Sequence, residues 1–269
     1  MNFDPGYRVS AQAPQIQPEF HVVDHGGASA RIAFRARPGA GPGVVWLGGF
    51  KSDMLSTKAS RLDAWAADAR RAFLRFDYSG HGESAGAFEA GTIGQWLAES
   101  LSVIRAATDG PQILVGSSMG GWIALLAARA LFHAGEGGRL AGLVLIAPAV
   151  DFTETLIWDR LGPEARRDIA DTGRWLRHSE YSPEPYAITR ALIEEGRDHL
   201  LFGGLVRSHA PVHILQGLED PDVPWRHSME LLHRLAHDPV SVTLIRGGDH
   251  RLSREQDIAA LISAVEKIA

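Results

Sequence analysis

The chain has 269 residues, of which 45% are hydrophobic and 22% charged, and a net charge of −5. That length and apolar content suit one large α/β domain with a small insertion, burying roughly three quarters of the surface that its unfolded chain exposes. An acid excess without any long Lys/Arg run argues against a nucleic-acid partner, and the lack of cysteine excludes disulfides, thiolate metal sites and a thiol nucleophile.

The N-terminal M-N-F-D-P-G-Y-R-V-S carries an early Asp and Pro and has no apolar core, so it reads neither as a signal peptide nor as a transit helix. No uninterrupted apolar stretch approaches the ~20 residues that span a bilayer. With the cysteine-free composition, the expected compartment is the cytoplasm. Residues 21–37 then read as an antiparallel hairpin.

Apolar strands follow at 44–49, 73–78, 113–116, 143–148, 212–217 and 242–247. Most are apolar on both alternations, as in strands covered on both faces. Helical patterns near 57–71, 92–107, 119–134, 225–237 and 254–268 separate them. Strand and helix in alternation predict a mostly parallel central sheet with helices on both faces. Residues 151–210 break the rhythm. They show no convincing strand, and a structureless connection of about sixty residues is uncommon. They are expected to form a small cap of mixed helix and loop over the C-terminal edge of the sheet.

Two adjacent serines stand in G-S-S-M-G (116–120). Centred on Ser118, the frame is G-x-S-x-G; centred on Ser117, the flanking residues are Val115 and Met119. A nucleophile at a sharp strand-to-helix turn crowds the residues two positions away, and only residues without a Cβ relieve that crowding. Ser118 is therefore the candidate nucleophile, and Ser117 a small spacer. The motif is weak by itself in a chain with 29 glycines. Its setting, after the strand-like I-L-V-G and before the Ala-rich W-I-A-L-L-A-A, strengthens it.

A serine hydroxyl needs a base, and the base needs an acid to orient it. In this architecture they follow in the order Ser, acid, His, each at a strand end. His250, in the G-D-H-R-L-S after strand 242–247, is the base; His81 in S-G-H-G-E-S is the alternative. Glu219, Asp220 and Asp222 cluster after strand 212–217. Asp220 is favoured as the acid, being three residues past Gly217, with Asp222 as the alternative. The cluster lacks the helical His/Asp spacing of a metal site. Backbone N–H groups of Met119 and of Phe50, in L-G-G-F-K-S-D-M (47–54), are the candidate oxyanion donors. Leu156, Ile157, Trp158, Leu161, Trp175 and Tyr186 give the insertion apolar and aromatic surface, suited either to lining an acyl pocket or to packing the insertion onto the domain.

Together these elements resemble the α/β-hydrolase superfamily from about residue 30 to the end. R-F-D-Y-S-G-H-G-E-S (75–84) looks like the loop that follows the fourth strand in that superfamily. G-F-K-S-D-M, R-F-D-Y-S-G, P-Q-I-L-V-G-S-S-M-G-G-W, D-V-P-W and G-D-H-R are similar, more narrowly, to the mitochondrial palmitoyl-protein thioesterase and acyl-glucuronide esterase family and its bacterial relatives. The resemblance implies an α/β-hydrolase fold with a small helical cap, no cofactor, a Ser118–His250–Asp220 triad, and hydrolysis of esters or thioesters. The substrate would be a small molecule or an S-acylated protein. An acyltransferase, lactonase, peptidase or perhydrolase on the same triad, or a binding module without catalysis, are the competing readings.

Overall fold

The computed structural model describes residues 16–25, 27, 29–179 and 182–269. In chain order the elements are β1 (Glu19–Asp24), β2 (Ser29–Arg37), β3 (Ala40–Leu47), α1 (Thr57–Asp68), β4 (Arg71–Phe76), α2 (Ile93–Ala107), β5 (Gln112–Ser117), α3 (Met119–His133) and β6 (Leu140–Ile146). After β6 come α4 (Pro163–Thr172), β7 (Arg174–Ser179), β8 (Ser182–Thr189) and α5 (Arg190–Gly196). The chain ends with β9 (Val212–Gly217), α6 (Trp225–Arg234), β10 (Val240–Ile245) and α7 (Glu255–Ile268).

Eight strands form one sheet in the order β1-β2-β4-β3-β5-β6-β9-β10. The hairpin β1–β2 and the β2–β4 pair are antiparallel, and the rest of the sheet is parallel. Both faces are covered, and alternate residues of each inner strand serve opposite layers. Val44 and Trp46 of β3, Ile113 and Val115 of β5, and Val144 and Ile146 of β6 pack with Leu62 and Trp65 of α1 and Leu261 and Val265 of α7. Val45, Leu114, Leu143 and Leu145 face the other way, toward Trp96 of α2, Trp122 and Leu126 of α3, and Leu231 of α6. Strands that bury both alternations read as continuous apolar runs, which is why periodicity located them. Burying a side chain of this size contributes on the order of 2 kcal/mol.

From β3 the chain winds first to β4 on one side and then crosses to β5 on the other. Ligands of open α/β sheets bind outside the carboxyl ends of the strands at such a reversal. The carboxyl end of β5 runs directly into α3, whose residues Met119 to Ala128 are all buried. An Ala-rich, uncharged sequence is what so deeply buried a helix requires.

The segment between β6 and β9 differs from the helix-and-loop expectation. Besides a π-turn at Thr153–Ile157, a 3₁₀ turn at Trp158–Arg160 and the helices α4 and α5, it contains an antiparallel ribbon, β7–β8, with Trp175 opposite Ile188 and Arg177 opposite Tyr186. Pro183 and Pro185 lie in β8. Proline is excluded from central strands but tolerated where a strand has a free edge, as both strands of a two-stranded ribbon do. The ribbon therefore lacks the apolar signature by which the main strands were found. At the base of the segment, buried Asp151 (φ 55°) accepts the backbone N–H groups of Leu201 (2.8 Å) and Phe202 (2.7 Å). One carboxylate thus joins the segment's two ends. Burial raises its pKa, against the lowering effect of those two N–H groups.

Candidate active site

Ser118 is the hinge between β5 and α3, at φ 54° and ψ −117°. A non-glycine residue in that region costs of order 1–3 kcal/mol and persists only where its surroundings enforce it. Here they do. Its N–H donates to Ile146 O (2.8 Å), and its carbonyl accepts from Gly121 (2.9 Å) and Ala149 (3.0 Å). The two flanking glycines are steric necessities. A Cβ at Gly116 would stand 2.2 Å from Gly120 O, and one at Gly120 would stand 2.1 Å from Leu47 O. Ser117 remains in β5, buried at the strand end.

The loops after β9 and β10 meet backbone to backbone. Gly217 leaves room for Gly248, whose O would lie 2.3 Å from a Cβ at residue 217, and Glu219 N donates to Gly248 O (2.9 Å). This contact brings the acid and the imidazole together. His250 Nδ1 lies 2.8 Å from Asp220 Oδ2, and His250 Nε2 lies 3.1 Å from Ser118 Oγ. A carboxylate can only accept, so Nδ1 carries the hydrogen and Nε2 faces the hydroxyl as an acceptor. Asp220 is saturated on its other side: Oδ1 accepts from Asp222 N (2.9 Å) and Val223 N (2.9 Å), and Oδ2 also accepts from Gln216 Nε2 (3.3 Å). Its side chain is fully buried. Lys58 of α1 donates its ammonium to Arg251 O, bracing the loop beside His250. Burial pulls the Lys58 pKa down to about 8, against the attraction of Asp249.

Ser118, Met119, Phe50 and His250 all line one cavity of about 410 Å³. The loop bearing Phe50 is packed onto the serine: a Cβ at Gly49 would stand 3.4 Å from Ser118 Cβ. The hydrogen-bond chain to Ser118 runs through Asp220 and His250; of the alternatives left by the sequence, Asp222 lines the same cavity and His81 does not. Asp222 Oδ1 is 3.5 Å from Arg177 Nη2 of β7. His81 bonds to Ser79 O and to Lys51 N rather than to the serine. Asp220, Asp222 and His250 could also offer ligand atoms within 4.8 Å of one another, but Asp220 and His250 already hydrogen-bond directly.

The lining expectations divide. Tyr186, Leu156 and Ile157 face the cavity. Trp158, Leu161 and Trp175 are packed elsewhere, as the packing alternative has it. The 3₁₀ turn that follows the π-turn carries Trp158 into a separate hollow, shared with Ile169 and Arg190, with the guanidinium groups of Arg166 and Arg197 at 5.0 and 5.1 Å from its ring centroid. Leu161 packs against the main core. Trp175 also packs there, beside Ile188, at the base of the ribbon; the Arg177–Tyr186 pair, two residues nearer the tip, reaches the cavity. Phe152, Lys51, Arg177 and His178 complete much of the lining and were not singled out from the sequence. Phe152 had one available signal, its position just past the end of β6.

The strand order, the strained serine and the converging loops are those of a known architecture, and residues 22–264 match the model of the alpha/beta hydrolase family. The chain belongs to that family. Among sequence relatives, the bovine mitochondrial palmitoyl-protein thioesterase ABHD10 is 35% identical over 240 residues, covering 88% of this chain and 76% of the relative. A putative hydrolase from Agrobacterium vitis superposes with a TM-score of 0.90 at 45% identity, covering 95% of this chain and 99% of that one. Mouse alpha/beta hydrolase domain-containing protein 10 superposes at 0.82 and 32% identity, covering 93% and 98%. This alpha/beta hydrolase thus stands among ester-bond hydrolases, the class that its relatives' names describe. Among the described residues, no helix is long and apolar enough to cross a membrane.

Proposed function

We propose that the protein is a serine hydrolase that cleaves carboxylic esters or thioesters through an acyl-enzyme on Ser118. The observation that carries this reading is the unbroken hydrogen-bond chain from Asp220 through His250 to Ser118 Oγ, at 2.8 and 3.1 Å, opening onto the cavity. His250 Nε2 takes the hydroxyl proton as Oγ attacks the acyl carbonyl. Asp220 holds the ring in the required tautomer and stabilises the imidazolium. The N–H groups of Phe50 and Met119 bind the tetrahedral oxyanion, a contribution of about 3 kcal/mol per donor in such sites. His250 then gives its proton to the departing thiol or alcohol. It next activates a water that releases the acid and restores Ser118.

The segment 151–210 acts as the cap, and Phe152, Leu156, Ile157 and Tyr186 offer the acyl chain an apolar bed. Depalmitoylation of S-acylated proteins is the specific activity that the names of the thioesterase relatives suggest. The cytoplasm is the expected compartment, and cell fractionation tests it. A panel of p-nitrophenyl esters, acyl-CoA and S-acyl peptide thioesters of graded length, run on wild type and Ser118→Ala, tests the chemistry. Hydrolysis that depends on residue 118 is expected, and a rate indifferent to that substitution would end the reading. Adding alcohol or amine acceptors to the same assay distinguishes hydrolysis from acyl transfer by its products.

A further inference from the structure

His81 is a buried polar ring in an aromatic box. It is only 4% exposed and meets Tyr78, Phe88 and Trp96 at centroid distances of 5.6, 5.2 and 5.2 Å. Both of its nitrogens are committed. Ser79 O, 3.1 Å from Nδ1, can only accept, so Nδ1 carries the hydrogen and Nε2 presents a lone pair. That lone pair accepts the backbone N–H of Lys51 at 3.2 Å. Protonating the ring would set one N–H against another. Burial holds the ring's pKa down at about 4, so the accepting form prevails at neutral pH.

Lys51 is a non-glycine residue at φ 61°, in the left-handed region that such residues seldom adopt. It directly follows Phe50, whose ring is wedged among Phe88, Trp96, Phe152 and Tyr186. The turn that carries both residues is held at a second point by the same stretch of chain after β4: Asp77 Oδ1 accepts Met54 N at 2.6 Å. The loop D-Y-S-G-H-G-E-S is therefore fitted along the Phe50 turn, with an acceptor at either end of it.

We propose that His81 is a positioning residue: by accepting the Lys51 N–H it fixes the left-handed turn and so aims the Phe50 N–H at the developing oxyanion. This rests on the reading of Ser118 as the nucleophile and of Phe50 as an oxyanion donor. A ring that only packed would be replaceable by another ring. A ring that holds the turn is not, because the acceptor is what matters.

The test separates the two. His81→Phe keeps an aromatic ring and loses the acceptor; His81→Gln brings a carbonyl oxygen near the place of Nε2. For a short-chain ester, His81→Phe is expected to lower kcat about tenfold to a hundredfold, with KM changed less than about twofold. It should weaken a boronic acid, which mimics the tetrahedral state, by a similar factor. His81→Gln should recover most of the rate. Wild-type kcat in His81→Phe, a loss confined to KM, or equal impairment of both variants overturns the proposal. Should His81→Phe fail to fold by thermal unfolding, His81→Gln is compared with His81→Asn, whose carbonyl is one carbon too short to reach Lys51 N. Equal rates in those two overturn the proposal as well. An unchanged rate in Ser118→Ala overturns the underlying reading, whereas a Ser118-dependent rate that survives His81→Phe overturns the proposal alone.

Discussion

The strand ends and the insertion between β6 and β9 are built on opposite terms. At the strand ends, backbone touches backbone. Gly116, Gly120, Gly217 and Gly248 each stand where a Cβ would come within 3 Å of other atoms, main-chain atoms included. In the insertion, Gly162, Gly203 and Gly204 have no such neighbour within 4 Å. Its contribution to the cavity comes from side chains such as Leu156, Arg177 and Tyr186. Positions that do chemistry must be fixed to fractions of an ångström, and main-chain packing fixes them. Positions that shape a pocket tolerate exchange, and side chains supply it.

The sharpest way to break this contrast is Ser118→Ala. Loss of about 10⁶ in kcat is expected while the fold persists, read by steady-state kinetics beside circular dichroism. Asp220→Asn should cost about 10⁴ in kcat, because the amide favours the wrong tautomer of His250. Gly120→Ala drives a Cβ to 2.1 Å from Leu47 O and should destabilise the protein by about 3 kcal/mol or more in urea unfolding. Gly204→Ala should stay within about 0.5 kcal/mol, and equal costs would erase the distinction between the two regions.

Acid acts on the same strand-end region through His81. Its pKa falls from an ordinary 6.5 to about 4 in the folded protein, chiefly by burial. Between those values the unfolded chain binds a proton that the folded one does not. Stability contributed by the neutral ring is therefore present above pH 6.5 and is lost as pH falls toward 4, by up to about 3 kcal/mol. The slope of stability against pH in that window should flatten in His81→Gln, as urea titrations at successive pH values would read. The smallest expected effect on catalysis belongs to the insertion. Leu156→Trp should reduce kcat/KM for long acyl chains by about tenfold while leaving short-chain esters within about twofold. A uniform loss across chain lengths would show that residue 156 does not measure the acyl group.

What could be read from the sequence follows the same division. The choice of Ser118 over Ser117 rested on a local steric demand, that residues two positions away carry no Cβ, and the clashes at Gly116 and Gly120 are that demand in three dimensions. Asp220 and His250 were legible because strand ends bound a short search, and the structure brings both to Ser118. The main strands were legible because burial on both faces leaves continuous apolar runs. The ribbon β7–β8 was not, since a two-edged ribbon admits Pro183 and Pro185 and needs no such run. The size and apolarity of Trp158, Leu161 and Trp175 suit cavity lining and core packing equally. Those properties mark a side chain for burial but carry no direction. Which surface buries it depends on a turn geometry, such as the π-turn before Trp158, that periodicity does not encode.

The single carboxylate of Asp151, gripping the amides of residues 201 and 202, makes the intervening stretch a cassette with adjacent ends. That stretch is also seated on the body of the protein: Ile188, Leu192 and Ile193 join the main core, Trp122 Nε1 donates to His199 O (3.2 Å) and Gly94 N donates to Glu195 Oε1 (2.9 Å). An engineer transplanting the cassette therefore has two defined splice points, and a graft must reproduce these seats as well as the Asp151 tie.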